Sequence, residues 1–198
     1  MAELTNLHDA LVHEICDLYS AEKQLVKALP KMAKAASSDD LREAIEHHLE
    51  ETENQIGRLE QIFDLLDEKP RARHCAGIAG IIEEGADVLK QDAEDAVLDA
   101  CIIAAAQRAE HYEMAAYGTV AAWAEALDLP DVAQLLRDTL DEEKAADKTL
   151  TELAESRINA AAEAGGEELA DEDEDEEDDT DEDAPAAKAS GRKSSTGR

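Results

Sequence analysis

The sequence predicts an all-α fold, a four-helix bundle built from two antiparallel hairpins, and three observations support it. Strand signals are missing: valine and isoleucine are scattered, no stretch alternates apolar with polar residues, and alanine, leucine, glutamate and lysine dominate. Four long segments repeat apolar residues at steps of three and four, the spacing of one helix face. Breaker residues divide them at SSDD and LDLP.

The first helix runs from about Leu4 to Ala36, and Pro30 is expected to kink it one turn from its end. The turn SSDD follows, with Ser38 or Asp39 as N-cap. The second helix spans about Asp40 to Asp67, the third about Ala93 to Asp128. The fourth starts near Pro130, a residue tolerated in a first turn, and ends before Gly165. Both hairpin turns are short, so each pair is antiparallel. Between the second and third helices lie about 25 residues, EKPRARHCAGIAGIIEEGADVLKQD, with a short amphipathic helix around Ile78 to Lys90. That length can travel the height of a bundle and return parallel, which is the ferritin-like arrangement rather than the simple up-down one.

Charge divides the chain in two. Residues 163–198 carry 15 acids and 4 bases and almost no bulky apolar residue. Such a segment cannot bury enough surface to offset its ordering entropy, so it reads as a disordered acidic tail behind a bundle of residues 1–162. The tail takes −11 of the formal charge of −31 and leaves −20 on the bundle. A surface of that sign repels phosphate backbones, argues against nucleic acid as a partner, attracts cations and would suit a salty cytoplasm. No window is apolar enough to cross a membrane, and MAELTNLHDA lacks the basic and apolar regions of a signal peptide. Cys16, Cys75 and Cys101 are widely spaced with no CxxC, which argues against a disulfide framework or a zinc knuckle and fits a reducing, cytoplasmic setting.

The apolar stripes are each broken once. In the first helix the stripe Leu11, Ile15, Leu18, Leu25, Leu29, Met32 has Glu22 where an apolar residue belongs. The second reads Leu41, Ile45, His48, Thr52, Gln55, Leu59, Ile62, Leu66, with Glu51 flanking the polar interruption. The third, Ile103, Gln107, Met114, Tyr117, Ala121, has Glu110 between Gln107 and Met114, with Glu113 on the adjoining edge. The fourth, Val132, Leu136, Thr139, Ala146, Leu150, Leu153, has Glu143 between Thr139 and Ala146, with Asp147 one turn on. The depths agree. Glu22 lies about 15 residues before the first turn and Glu51 about 13 after it; Glu113 lies about 16 before the second turn and Glu143 about 14 after it. At about 1.5 Å of rise per residue these groups meet near mid-bundle.

A buried ionised carboxylate without a partner costs several kcal/mol, and several at one level also repel each other. Two divalent cations would satisfy them, and an oxygen-rich site with one or two imidazoles suits iron or manganese. The alternative is a salt-bridge network. Lys23 and Lys144 adjoin Glu22 and Glu143 and so point about 100° away, whereas Arg108 is placed to reach inward.

The blocks LYSAEKQLVKALPKM, HLEETENQIGRLEQ, AAAQRAEHYEMAAYGT and TLDEEKAADKTLTELAE, in that order over about residues 4 to 160, resemble the YciE/YciF-type family of ferritin-like proteins. The resemblance implies a metal-binding bundle, often labelled a ferroxidase and associated with stress. The wider rubrerythrin-like pattern implies metal ligands at Glu22, at the ExxE pair Glu110 and Glu113, and at Glu143. It also asks for a histidine three residues after the glutamates of the second and fourth helices, where this sequence has Asn54 and Ala146. His48, three before Glu51, and Asp147, four after Glu143, stand as substitutes. His111 is expected to face elsewhere, and His8, His13, His47 and His74 to be exposed or at edges.

The implied protein is a cytoplasmic homodimer with a di-iron (or di-manganese) carboxylate centre. Glu22 and Glu113 would be terminal ligands, with Glu51 and Glu110 or Glu143 bridging. Oxygen or peroxide would be the oxidant of a ferroxidase or peroxide-scavenging activity. The competing expectation is a non-catalytic, stress-associated dimeric bundle with a vestigial or absent metal site, favoured by the missing histidines. A rubredoxin-like relay within the chain is excluded, since no paired CxxC exists.

Overall fold

The computed structural model describes residues 4–165; of the tail read above as disordered, 163–198, all but its first three residues lie outside the described residues. Every regular element among the described residues is helical. Helix α1 (Leu7–Ala35) begins where the Asn6 side chain accepts the Asp9 N–H at 2.9 Å. It continues through Pro30, which is exposed, so water can take the carbonyl that lacks an intrahelical donor. Helix α2 (Asp39–Leu65) is capped by Ser38, whose hydroxyl accepts the Leu41 N–H at 3.4 Å. Helix α3 (Ala76–Val88) starts two residues earlier than the sequence pattern suggests, because the Cys75 thiol serves as its N-cap and accepts the Ile78 N–H at 3.4 Å.

Helix α4 (Asp95–Ala126) and helix α5 (Pro130–Leu153) form the second hairpin. Helices α2 and α4 stop in the same way: Asp67 after α2 has φ 54° and Asp128 after α4 has φ 58°, the left-handed region in which aspartate is tolerated. Helix α5 runs on through a π-helical turn, Ala154–Ile158, into α6 (Asn159–Glu163), and Gly165 at φ 72° closes it.

Hydrogen bonds fix the topology. The buried carboxylate of Asp99, near the start of α4, accepts from Ser37 N at 2.9 Å, Ser37 Oγ at 2.7 Å and Ser38 N at 2.8 Å. The starts of α2 and α4 therefore lie at one end of the bundle, and the two helices run parallel. Arg157 reaches Asp40 at 3.0 Å at that same end, so α5 runs antiparallel to α2. The long connection makes the return trip, with α3 packed on α1 and α4. Gly77 lets α3 approach closely: a Cβ there would sit 2.7 Å from Tyr112 Cε2. The chain is thus a four-helix bundle of two hairpins with a long crossover and one extra helix, the ferritin-like arrangement.

The core has two apolar halves. One gathers Leu11, Ile15, Leu18, Leu59, Ile62, Phe63, Val120 and Leu136. The other gathers Leu25, Leu29, Leu41, Ile45, Ile78, Ile102 and Leu150. Between them the helices contribute buried polar residues: Glu22, His48, Thr52, Gln55, Glu110, Glu113, Thr139 and Glu143.

Candidate metal centre

Each helix of the bundle carries its polar break to the same layer because one face of each must point inward, and the breaks occupy inward positions. The result is a set of acids with almost no access to water: Glu22 and Glu143 are 0% exposed, Glu113 1% and Glu110 2%. One ligand atom each from His48, Glu110, Glu113 and Glu143 lies within 4.8 Å of all the others. Glu22 joins this group through its neighbours, as burial and the Glu143 carboxylate together raise its pKa to about 8.

The hydrogen bonds available do not satisfy the layer. Tyr117, fully buried, donates its hydroxyl to Glu22 Oε1. Gln55 donates to Glu143 Oε1 at 2.6 Å and to Glu142 Oε2 at 3.0 Å. The His48 ring places Nε2 3.4 Å from Glu110 Oε1 and 3.9 Å from Glu143 Oε2, with Nδ1 3.6 Å from Glu51. Left without a hydrogen-bond partner are Glu22 Oε2, His48 Nδ1, Gln55 Oε1, Glu110 Oε2, both Glu113 oxygens and Glu143 Oε2. Seven unpaired polar atoms in one layer is the opposite of how a folded interior normally treats polar groups.

Protons respond accordingly. Burial pushes the Glu110 and Glu113 carboxyls well above the usual range; the His48 charge opposes this at Glu110, while the Glu22 and Glu143 charges add to it at Glu113. Burial alone would lower the His48 pKa, but Glu110, Glu51, Glu143 and Glu22 outweigh it and raise it to about 10. Tyr117 is raised by burial and by Glu22, so its hydroxyl stays protonated and donates.

No lysine or arginine among the described residues forms an ion pair with Glu22, Glu110, Glu113 or Glu143. Lys23 lies over the Tyr19 ring at 3.8 Å from its centre, and Lys144 pairs with Asp141 at 3.0 Å. Arg108, placed by the sequence to reach inward, instead bonds the Ala104 carbonyl at the surface. Arg58, which the sequence reading passed over, pairs with Glu142 at 2.7 Å and Thr139 at 2.6 Å beside the layer. The salt-bridge network expected as the alternative therefore runs around the acids and not among them.

The structure separates the sequence-predicted residues into three positions. Glu22, His48, Glu110, Glu113 and Glu143 converge in the buried layer. Glu51 sits at its rim, its side chain 24% exposed and its pKa lowered chiefly by the neighbouring His48 imidazole. Asp147 lies outside: a residue four after Glu143 is rotated about 40° past it, and its carboxylate meets His111 at 3.2 Å and Gln107 at 3.0 Å. His111 faces outward, 66% exposed, as its place beside Glu110 suggests. Sequence reading placed Gln55 and Tyr117 on the stripes but missed their contacts with acids. The available signal was Tyr117 one turn after Glu113.

A cavity of about 110 Å³ leads to this layer between α2 and α5, lined by His47, His48, Glu51, Glu110 and Thr149 among alanines and the larger apolar Leu29, Ile45 and Leu150. No described helix is long and apolar enough to cross a membrane.

Residues 6–163 match the family described as "Domain of unknown function (DUF892)". The chain belongs to that family. It is similar to protein YciF of Escherichia coli K12, 44% identical over 161 residues, 81% of this chain and 97% of that protein. The crystal structure of the E. coli stress protein YciF superposes with a TM-score of 0.76 over 79% of this chain and 99% of that one. YcfI of Rhodopseudomonas palustris, for which a structural role has been suggested, is 45% identical with a TM-score of 0.74 over 75% of this chain and 95% of that one. These relatives support the helical fold, and YciF is described as a stress protein of E. coli.

Proposed function

We propose that the buried layer is a carboxylate metal centre for two first-row divalent ions, iron foremost and manganese as the alternative, and that the protein works as a ferroxidase or oxidant-consuming protein in a stress response. The observation that carries the reading is the convergence of Glu22, His48, Glu110, Glu113 and Glu143 with seven unpaired polar atoms and no basic ion-pair partner but His48. Four buried carboxylates balance the charge of two divalent cations, and the donor set of carboxylate oxygens with one imidazole suits iron and manganese. Iron bound there would supply one-electron redox chemistry between its ferrous and ferric states.

The chain's own residues do the rest. Tyr117 and Gln55 hold Glu22 and Glu143 in place through their hydrogen bonds. Glu51 faces Nδ1 of His48 and steadies the ring so that Nε2 points into the layer. Glu51 and the exposed His47 sit at the mouth between α2 and α5, where a carboxylate and an imidazole can replace water around an arriving cation. The two apolar halves exclude bulk water above and below.

A second reading, a non-catalytic dimeric bundle with a vestigial site, has a specific observation in its favour: Asn54 and Ala146 stand where the related pattern has histidines, leaving His48 as the single imidazole of the layer. One experiment separates the two. Anaerobic protein is loaded with Fe(II), bound metal is counted, and oxygen or peroxide is added while ferric absorbance is followed. Two irons per chain, with oxidation abolished in the Glu22→Ala/Glu143→Ala double variant, is the expected result. Absence of bound iron, or oxidation unchanged in that variant, would leave the non-catalytic reading.

A further inference from the structure

A second cavity reaches the same edge of the acidic layer from another side of the bundle. It holds about 60 Å³ and lies beneath α3, between that helix, α1 and α4. His48 and Glu110 form its polar end, and Lys31 and Ala86 are exposed at its rim. Apart from these groups its walls are apolar, with Leu25, Leu29, Ile81 and Ile82 prominent. The cavity between α2 and α5 shares His48 and Glu110 but has His47, Glu51 and Thr149 in its wall. Two approaches with apolar walls thus end at one pair of side chains, and only the one between α2 and α5 adds a carboxylate, an imidazole and a hydroxyl along the way.

That contrast selects what each can carry. A cation entering beneath α3 would lose its hydration with no oxygen ligands to replace it, and hydrogen peroxide would lose its hydrogen bonds in the same way. A small apolar molecule loses little and gains dispersion contacts, which is why dry apolar cavities take up gases such as xenon. We infer that the cavity beneath α3 is a binding site for dioxygen, which there meets the His48–Glu110 edge of the layer, while cations use the mouth between α2 and α5. The inference rests on the metal-centre reading for its chemistry and narrows the oxidant to dioxygen. Dioxygen takes one electron from each of two ferrous ions and two protons from solvent, and leaves as hydrogen peroxide; both irons end ferric.

The test uses the full chain with two variants at the wall, Ala28→Phe and Ala86→Phe, whose alanines are half-buried and exposed and so leave the packed core alone. Crystals are pressurised with xenon, and Fe(II) oxidation is followed with dioxygen and, separately, with hydrogen peroxide. Xenon is expected between Leu25 and Ile82 in the wild type and absent in the variants. Dioxygen-driven oxidation should fall roughly tenfold in the variants, with Fe(II) stoichiometry and the peroxide-driven rate unchanged. No xenon in the cavity, equal slowing with both oxidants, or no slowing with either would overturn the proposal. Failure of Fe(II) to bind the wild type would instead remove the metal-centre reading, and xenon occupancy would still decide whether this cavity takes a small apolar gas.

Discussion

Helix α4 buries acids in two places, and it treats them in opposite ways. Asp99 is 2% exposed and its carboxylate accepts three hydrogen bonds from the turn between α1 and α2. Glu113, fourteen residues on and 1% exposed, has no hydrogen-bond partner at either oxygen. The first acid is placed for structure: it closes the corner where the hairpins meet and ties two backbone N–H groups that the turn leaves free. The second is placed at a cost in stability that nothing in the polypeptide recovers. A protein that can satisfy a buried acid at one end of a helix and leaves several unsatisfied at its middle is holding those groups for something other than the fold.

The contrast can be broken from either side. Asp99→Ala should destabilise the bundle by about 2–4 kcal/mol, because it leaves Ser37 and Ser38 donors without an acceptor. Chemical denaturation measures this, and a loss well under 1 kcal/mol would mean that the corner is not built on Asp99. Glu113→Leu should do the reverse and stabilise metal-free protein by about 1–3 kcal/mol, since replacing an unpaired buried carboxyl group with an apolar group of similar size is favourable. The same variant should lose bound metal, measured by equilibrium dialysis. A Glu113→Leu protein less stable than wild type without metal would show that the acid has a structural partner after all.

Proton linkage sharpens the difference further. Glu22 titrates near about 8 in the folded chain, above the ordinary 4.5, and His48 near about 10, above the ordinary 6.5. Between the lower and upper value of each group the folded state holds a proton that the unfolded state has released. The stability this confers is complete below the lower value and is lost as pH rises through the upper one. Metal-free protein should therefore weaken steadily from about pH 5 toward pH 10. Metal loading displaces those protons, so it should flatten the slope and release acid on binding. Melting curves across that range, with and without chelator, decide it; identical slopes would count against a metal in the layer. The smallest effect belongs to the half-buried pair beside the layer: Arg58→Ala should cost about 1 kcal/mol and leave metal stoichiometry intact.

Much of this architecture was legible before any coordinates. The stripes of the first, second and fourth long helices correspond almost residue for residue to buried faces, with Met32, Leu66 and Leu153 only partly buried at their ends and Ala146 only partly buried between Glu143 and Leu150. Asp147 was out of reach for a physical reason: a helix turns about 100° per residue, so pattern alone cannot tell a residue on the inner face from one just past it. Helix α4 made this harder. It packs against α1, α3 and α5, and small residues surround its acids, so its sequence carries weak information about which side faces in.

The sequence by itself determined the helices, the two hairpins, the parallel return and the level at which Glu22, Glu110, Glu113 and Glu143 interrupt apolar stripes, because periodicity, turn chemistry and loop length are local properties of the chain. Only the tertiary structure decided which acids lack partners, that Tyr117 and Gln55 hold two of them, that Glu51 stands at the rim with Asp147 outside, and that the cavity beneath α3 is apolar. Those facts depend on how each helix is rotated about its axis against three neighbours. That rotation is set by the packing of both core halves together.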